Sequence, residues 1–248
     1  MESQKKYKPT FSIEFFPPKT EQGAINLRKT REELSRLNPA YFSVTYGAGG
    51  STQQGTLDTV LEIKNAGNEA APHITCVGST KEKIRELLQT YIDHGLNRIV
   101  ALRGDLPSGQ SEAGEFRYAN ELVEFIRLET GDHFHVEVAA YPEFHPQSKS
   151  PSEDLGNFKR KVEAGANSAI TQYFFNPDAY YRFIDDCEKI GIDIPVVPGI
   201  MPIINYKNLA RFSDMCGAEI PRWIQKRLEY FGDDLESIRS FGQDVSNQ

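Results

Sequence analysis

The chain has 248 residues and no segment that looks like a linker, so we expect one domain over residues 1–248. Hydrophobic residues make up 39% of it and charged residues 25%, which is ordinary globular usage and excludes a disordered, collagen-like or disulfide-scaffold chain. The net charge is −7, and this acidic balance argues against nucleic acid as a partner, because binding a phosphate backbone needs clustered basic residues.

The N-terminal segment MESQKKYKPT is polar, and no later stretch approaches the roughly 18 consecutive apolar residues of a membrane span. We therefore expect a cytoplasmic protein without a membrane partner. The three cysteines, Cys76, Cys187 and Cys216, lie far apart and form no CxxC or Cys/His spacing. This pattern predicts reduced thiols and no metal site.

Seven short runs of β-branched and aromatic residues recur at intervals of roughly thirty residues, the size of one strand–helix unit. The runs begin at Phe11, Tyr41, Ala71, Arg98, Phe134, Ser168 and Ile194. Helical patterns separate them, among them 79–95 and 177–191, with Ser, Thr, Asp or Asn near their starts. Because strand–helix–strand crossovers are right-handed and place each strand beside the last, the alternation predicts a parallel sheet.

Two architectures fit such a series of units, a (β/α)₈ barrel and a doubly wound sheet. Length and strand number favour the barrel, and the first strand runs into Pro17-Pro18 instead of the GxGxxG of a dinucleotide-binding doubly wound fold. After a helical pattern near 205–216, two more helical segments follow and the sequence stops at Gln248. We therefore predict a TIM (β/α)₈-type barrel with seven strands visible and the eighth βα unit missing from this chain.

Glu14 is the most conspicuous polar residue of the first predicted strand. Because residues alternate between the two sides of a strand, Glu14 lies on one side, close to aromatic residues and just before the double proline. Polar groups at the C-terminal ends of barrel strands converge on one face. Partial desolvation there favours the protonated carboxyl that a general acid needs, while a structural ion pair is the alternative interpretation.

Three other segments that follow predicted strands carry groups suited to ligands. Gly104 permits close backbone approach, and the neighbouring Asp105 either reaches into the barrel mouth or caps a turn. The glycine-rich loop 45–52 either binds phosphate through backbone N–H groups or only connects two elements. Gln172 stands beside aromatic rings, where its amide either suits a flat heteroaromatic ligand or caps a turn.

A helical segment after the fifth strand is rich in polar side chains. Asp154, Asn157, Arg160 and Lys161 recur there at roughly helical spacing. The two cations suit a diphosphate, which needs paired charge or backbone donors, although a charged helix face is often only solvated surface.

Taken in order, these segments resemble the methylenetetrahydrofolate reductase family. The residues that carry the resemblance are the runs SIEFFPPK from Ser12, SVTYGA from Ser43, APHITC from Ala71, LRGD from Leu102, AYPE from Ala140, HP from His145 and ITQ from Ile170. The resemblance extends from Ser12 to about Gly242, nearly the whole chain. It implies a barrel with bound FAD, which takes a hydride from NADH or NADPH and passes it to 5,10-methylenetetrahydrofolate in ping-pong fashion, giving 5-methyltetrahydrofolate for methionine synthesis.

The resemblance also implies roles for individual residues. Glu14 would protonate the folate nitrogen so that the imidazolidine ring opens, Asp105 would place a negative charge near the flavin and the pterin, Gln172 would contact the pterin, and Tyr206 would stack on nicotinamide or folate. The positions that line FAD in the family match Thr45, Tyr46, Ala48, His73, Leu102, Arg103, Gly104, Asp105, Tyr118, Ala119, Ala139, Tyr141, His145, Asp154, Asn157, Arg160 and Lys161. Arg160 and Lys161 would then meet the diphosphate.

Other expectations follow from the family, and two further interpretations stay open. The family is commonly oligomeric, so a homo-oligomer is expected. Its eighth strand carries folate-contacting residues, so a chain that ends naturally at Gln248 should have weak or absent reductase activity. One alternative is another FAD barrel oxidoreductase, similar to proline dehydrogenase, and the other is a catalytically silent flavin- or folate-binding module.

Overall fold

The computed structural model describes residues 1–46, 52–104 and 114–247. The strands are β1 (Ile13–Phe15), β2 (Phe42–Val44), β3 (Ala70–Thr75), β4 (Arg98–Leu102), β5 (His135–Ala140), β6 (Ser168–Thr171) and β7 (Val196–Val197). The helices are α1 (Glu2–Lys5), α2 (Glu21–Ser35), α3 (Gln53–Asn65), α4 (Lys81–Asp93), α5 (Ala119–Thr130), α6 (Pro151–Glu163), α7 (Pro177–Lys189), α8 (Tyr206–Cys216), α9 (Arg222–Phe231) and α10 (Leu235–Ser246). The strands form one parallel sheet in chain order, from β1 to β7.

The strand order decides between the two predicted architectures. Each of the seven predicted runs overlaps one observed strand, and a helix follows every strand. Neighbouring strands pair in parallel, with Glu14 opposite Ser43 and Ser43 opposite Ala71. Parallel strands that are adjacent in chain order are typical of the (β/α)₈ barrel, whereas the strand order of a doubly wound sheet reverses. The described residues contain seven strands and no eighth, so the predicted fold class is confirmed.

Side-chain caps fix the starts of several helices. The side-chain oxygens of Thr20, Thr52, Thr80, Asn176 and Asn205 each accept a hydrogen bond from a backbone N–H in the first turn of the following helix. These bonds satisfy N–H groups that have no partner within the helix, as the predicted start signals require. None of the helices in the described ranges has the length and apolar composition needed to cross a membrane.

The chain divides into two compact units. The larger contains Tyr7–Val138 and Lys161–Asn167, and the smaller contains Met1–Lys6, Ala139–Arg160 and Ser168–Gln248. Among the fully buried side chains of the larger unit are Phe42, Ile63, Ile74, Leu88, Ile99, Leu122 and Phe134. The core of the smaller unit includes Tyr173, Ile203, Leu209, Ala218, Ile224, Leu228 and Ile238. Each unit therefore has a core of its own. Burying each large apolar side chain stabilises the fold by about 2 kcal/mol.

The short helix α1 lies in the smaller unit and was not predicted, because four residues are too few to show a hydrophobic period. Its residue Gln4 donates from Nε2 to the carbonyl of Ile194 at 3.1 Å and accepts on Oε1 from the N–H of Val196 at 2.9 Å. The amide thus pairs with the backbone at β7 as a neighbouring strand would. Lys6 adds an ion pair with Asp193.

Candidate active site

In the larger unit, the titratable side chains of Glu14 on β1 and His73 on β3 lie next to each other. Oε2 of Glu14 lies 3.4 Å from Nε2 of His73. The strand register explains this contact, because Glu14, Ser43 and Ala71 are aligned across β1, β2 and β3. His73 is two residues beyond Ala71 and therefore lies on the same side of the sheet. The parallel register thus brings together two titratable groups that are far apart in the sequence.

The environment of this pair favours neutral forms. Burial raises the pKa of Glu14 from its ordinary value of 4.5 to about 7, although 47% of its side chain is accessible to solvent. A ligand covering the exposed part of this side chain would raise the pKa of Glu14 further. Burial lowers the pKa of His73 to about 4, so this imidazole is neutral at pH 7 and gives the carboxylate no cation.

Two buried polar atoms of the larger unit have no hydrogen-bond partner among the described residues. They are Oγ1 of Thr45, directly after β2, and Nε2 of His73, whose approach to Glu14 lacks hydrogen-bond alignment. Buried polar atoms in folded proteins nearly always have partners, and leaving one unpaired costs about 1–3 kcal/mol. A bound ligand that offers polar atoms to Thr45 and His73 would remove this cost.

The exit of β4 needs a glycine. Gly104 has φ +82°, and a Cβ there would lie 2.8 Å from Cβ of Thr75 at the end of β3. The carbonyl of Arg103 accepts hydrogen bonds from the N–H groups of Cys76 and Val77, which fixes this segment against β3. The predicted site residues Asp105 and Ala48 lie outside the described residues. The role of Asp105 therefore stays a prediction.

The other predicted positions of the larger unit lie at the ends of its elements. Leu102 ends β4, Tyr46 follows Thr45, and Lys161 is near the end of α6. Tyr118 is exposed at the start of α5, directly before Ala119. The carboxylate of Glu121 fixes this start by accepting from the N–H groups of Arg117 at 2.7 Å and Tyr118 at 3.4 Å.

In the smaller unit, the β5–α6 loop (residues 141–150) holds two predicted cofactor residues. The rings of Tyr141 and His145 meet edge to face, with centroids 4.6 Å apart. Nδ1 of His145 accepts from the N–H of Gln147 at 3.0 Å, so the neutral imidazole carries its proton on Nε2. The two carboxylate oxygens of Asp154 accept from the N–H of His145 at 3.1 Å and from Oγ of Ser148 at 2.9 Å. Asp154, predicted to line FAD, thus also holds the loop.

Helix α6 carries the predicted polar residues after the loop. Asp154, Asn157, Arg160 and Lys161 all lie on α6, at the helical spacing that the sequence predicts. Arg160 is exposed and donates to Oδ1 of Asn157, while Lys161 is half-buried. Ala139 precedes the loop, in β5. The role of the two cations in holding a diphosphate stays a prediction.

Gln172 and Tyr206 also belong to the smaller unit. Gln172 follows β6, and its Oε1 accepts from the N–H of Tyr173 at 3.0 Å, which is the local contact that the turn-capping alternative describes. Its Nε2 is the group left to donate to a ligand. Tyr206 is the first residue of α8, whose start is capped by Asn205, and its ring is partly buried against the core of the smaller unit. That Glu14, Asp105 and Gln172 face one ligand stays a prediction.

Sequence reasoning gave no role to Glu143, although this residue belongs to the AYPE run between the predicted residues Tyr141 and His145. Its position between two predicted cofactor residues was the sequence signal that could have identified it. Sequence reasoning also missed the buried carboxylate Glu137 of β5, because its partners Tyr41 and Arg98 lie far away in the sequence. In the described part of the chain, no group of three or more His, Cys, Asp or Glu side chains is arranged to hold a metal ion.

Comparison with known proteins places the chain in a family. The family model for methylenetetrahydrofolate reductase matches residues 1–248. The 5,10-methylenetetrahydrofolate reductase of Escherichia coli (strain K12) is 43% identical over 236 residues, which cover 95% of this chain and 78% of that protein. The methylenetetrahydrofolate reductase (NADH) 1 of Zea mays is 40% identical over 246 residues, which cover 94% of this chain and 42% of that protein.

A solved structure shares the fold. It is an uncharacterized protein from Clostridium thermocellum that binds two copies of 5-methyl-5,6,7,8-tetrahydrofolic acid, with a TM-score of 0.70 at 16% identity, covering 99% of this chain and 84% of that one. At this identity the likeness shows the fold alone. From the family match and the identity to its curated members, the chain belongs to the methylenetetrahydrofolate reductase family of oxidoreductases.

Proposed function

We propose that this chain reduces 5,10-methylenetetrahydrofolate to 5-methyltetrahydrofolate, with FAD as its bound cofactor and NADH or NADPH as the reductant in a ping-pong cycle. The single observation that carries the proposal is Glu14, a carboxyl with a pKa raised to about 7 beside a neutral histidine. A group that is partly protonated at neutral pH can donate a proton to a substrate nitrogen. Family membership supplies the substrate class.

The described residues fit a flavin. Thr45 and His73 present a hydroxyl and a ring nitrogen that are buried without partners, and a flavin ring offers both donors and acceptors to such atoms. In the smaller unit, Tyr141 and His145 form an edge-to-face aromatic pair suited to a large flat cofactor. When bound, FAD would supply the hydride-transfer chemistry.

The chain's own groups prepare the folate for reduction. In this proposal Glu14 holds a proton on its carboxyl and gives it to the folate nitrogen, which opens the imidazolidine ring to a reducible iminium. Gln172 contacts the pterin through its amide, and Tyr206 stacks on the flat ring of folate or nicotinamide. Asp105 places a negative charge near the developing cation.

The remaining predicted residues hold the cofactor. Arg160 and Lys161 of α6 would bind the diphosphate, because paired cations form strong charge-assisted hydrogen bonds with phosphate oxygens. Asp154 fixes the β5–α6 loop through His145 and Ser148, so its contribution to the cofactor is made partly through that loop. The backbone at Gly104 allows close approach of a ligand, since no side chain projects there.

Two half-reactions followed on the purified chain test the proposal. The purified protein should show the visible absorbance of bound flavin, which NADH or NADPH should bleach in the absence of oxygen. Adding 5,10-methylenetetrahydrofolate should restore the absorbance and yield 5-methyltetrahydrofolate. Bleaching by proline instead of a nicotinamide nucleotide would indicate a proline-dehydrogenase-like enzyme. A bound flavin that no nicotinamide nucleotide bleaches would indicate a catalytically silent module.

A further inference from the structure

The carboxylate of Glu143 links two distant segments of the smaller unit. Its Oε2 accepts a hydrogen bond from the N–H of Glu219 at 2.8 Å, across 76 positions of sequence. Glu143 belongs to the β5–α6 loop, and Glu219 belongs to the α8–α9 connection (residues 217–221). The loop is therefore fastened to a segment that begins where α8 ends.

A second contact joins the same two segments. Gly217 ends α8 in the left-handed conformation, with φ +74°, and its N–H donates to the carbonyl of Ser213 at 2.8 Å. A Cβ at Gly217 would lie 2.5 Å from Cγ of Pro146, so the proline ring packs directly on the glycine backbone. Any larger residue at position 217 would push Pro146, and with it the loop, away.

The backbone between these contacts is strained. Phe144 has φ +68°, in the left-handed region that residues with a side chain rarely adopt. Its side chain is 45% exposed, so burial of the ring offsets little of this strain. Contacts on both sides, at Glu143 and Pro146, hold the loop in this conformation.

We propose that the α8–α9 connection positions the β5–α6 loop for the flavin, with Glu143 as a positioning residue and Gly217 as the surface against which Pro146 rests. The inference rests on the proposed function, in which Tyr141 and His145 of this loop contact FAD. His145 is the central residue, because it lies between Glu143 and Pro146 and its backbone and ring are fixed by Asp154 and Gln147. The α8–α9 connection would thereby control flavin affinity through the loop.

Two variants of Glu143 test the hydrogen bond. Glu143→Gln keeps an oxygen that can accept from the N–H of Glu219, so its FAD dissociation constant should stay within about twofold of the wild-type value. Glu143→Ala loses the acceptor and should bind FAD about tenfold more weakly. A purely structural role would lower the unfolding temperature of the flavin-free Glu143→Ala protein without weakening its affinity for FAD. Equal FAD affinity of the alanine and glutamine variants would overturn the role of Glu143.

Two glycine variants test the packing contact. Gly217→Ala and Gly191→Ala both place a side chain at positive φ in the smaller unit, but the Cβ at Gly191 meets no atom within 4 Å. Both variants should lose stability through the positive φ, and Gly217→Ala should lose more because its Cβ clashes with Pro146. Only Gly217→Ala should weaken FAD binding, by tenfold or more, and alter the visible spectrum of the flavin. Unchanged FAD affinity in Gly217→Ala would overturn the role of this contact.

Hydrogen exchange separates this inference from the proposed function. The N–H groups of His145, Gln147 and Ser148 all donate within the loop or to Asp154. In the flavin-free protein, they should exchange faster in Gly217→Ala than in Gly191→Ala. If the wild-type chain binds no flavin, the proposed function fails, but this difference would still support the bracing of the loop. Equal exchange in the two variants would overturn the bracing as well.

Discussion

Two carboxylates of the larger unit, Glu14 and Glu137, have opposite surroundings. Glu137 on β5 is almost fully buried, yet it accepts from the Tyr41 hydroxyl at 2.6 Å and from Nη1 of Arg98 at 3.0 Å. The guanidinium of Arg98 also lies over the Tyr41 ring, 4.5 Å from its centroid. Glu14 is nearly half exposed and accepts no hydrogen bond among the described residues, and its nearest titratable partner is the neutral His73.

The contrast shows that partners, rather than burial alone, decide what a carboxyl group can do. Glu137 has a cation and a hydroxyl beside it, and burial together with its charge raises the pKa of Tyr41 well above the ordinary value. A buried carboxylate paired in this way contributes to the fold. Glu14 lacks a cation, so desolvation dominates and brings its pKa to the range where a proton can be given and regained.

Replacing glutamate by glutamine should have a larger effect on activity at Glu14 than at Glu137. Glu14→Gln keeps the shape of the side chain but cannot give up a proton to the folate nitrogen. We expect folate reduction to fall by about 10²–10⁴-fold, as for the loss of a general acid, while bleaching of the flavin by NADH or NADPH stays near the wild-type rate. Rapid-mixing measurement of the two half-reactions would check this. An unchanged rate of flavin reoxidation by folate would contradict the assignment of Glu14.

Glu137→Gln should affect stability instead. The amide cannot neutralise Arg98, and a partly buried cation without its carboxylate costs about 2–3 kcal/mol. We expect the free energy of unfolding, measured by urea denaturation, to fall by this amount. Flavin reduction at a temperature well below unfolding should be unaffected. A variant as stable as the wild type would show that the Tyr41–Glu137–Arg98 cluster contributes little to the fold.

The sequence could predict Glu14 but not the cluster around Glu137. Glu14 lies in one continuous run, where strand alternation and the following double proline indicate its position. Glu137 looks like an ordinary strand residue until the fold brings Tyr41 and Arg98 to it. The strands and capped helices were predictable for the same reason as Glu14, since their signals are local. Helix α1 and the contact of Gly217 with Pro146 depend on short segments or tertiary packing, which no periodic pattern reveals.

The pH dependence of the two half-reactions should sharpen the contrast further. The acid form of Glu14 is the active one, and with a pKa near 7 its fraction falls about tenfold per pH unit above that value. The rate of folate reduction should therefore decline above pH 7, while the rate of flavin reduction by NADH should show no such decline. Burial lowers the pKa of His73 to about 4, so His73→Gln should leave the decline above pH 7 in place. If this decline disappears in His73→Gln, or persists in Glu14→Gln, it reflects the titration of a group other than Glu14.

The smallest effect is expected at the unpaired hydroxyl of Thr45. Thr45→Val removes a buried polar atom that has no partner among the described residues, so the flavin-free protein should gain up to about 1 kcal/mol in stability. If that hydroxyl pairs with the flavin, the same variant should bind FAD several-fold more weakly. Stability and affinity would then change in opposite directions, which a general packing defect does not produce.

Thr59→Val is the matched control for this comparison. Thr59 is also a buried threonine of the larger unit, but its hydroxyl already donates to the carbonyl of Gly55 at 2.7 Å. Its replacement should cost a little stability and leave FAD affinity unchanged, as equilibrium titration of the flavin-free protein would measure. If Thr45→Val and Thr59→Val change affinity equally, the unpaired hydroxyl is not a flavin contact. Of the two unpaired polar atoms, only Nε2 of His73 would then remain as a candidate flavin contact.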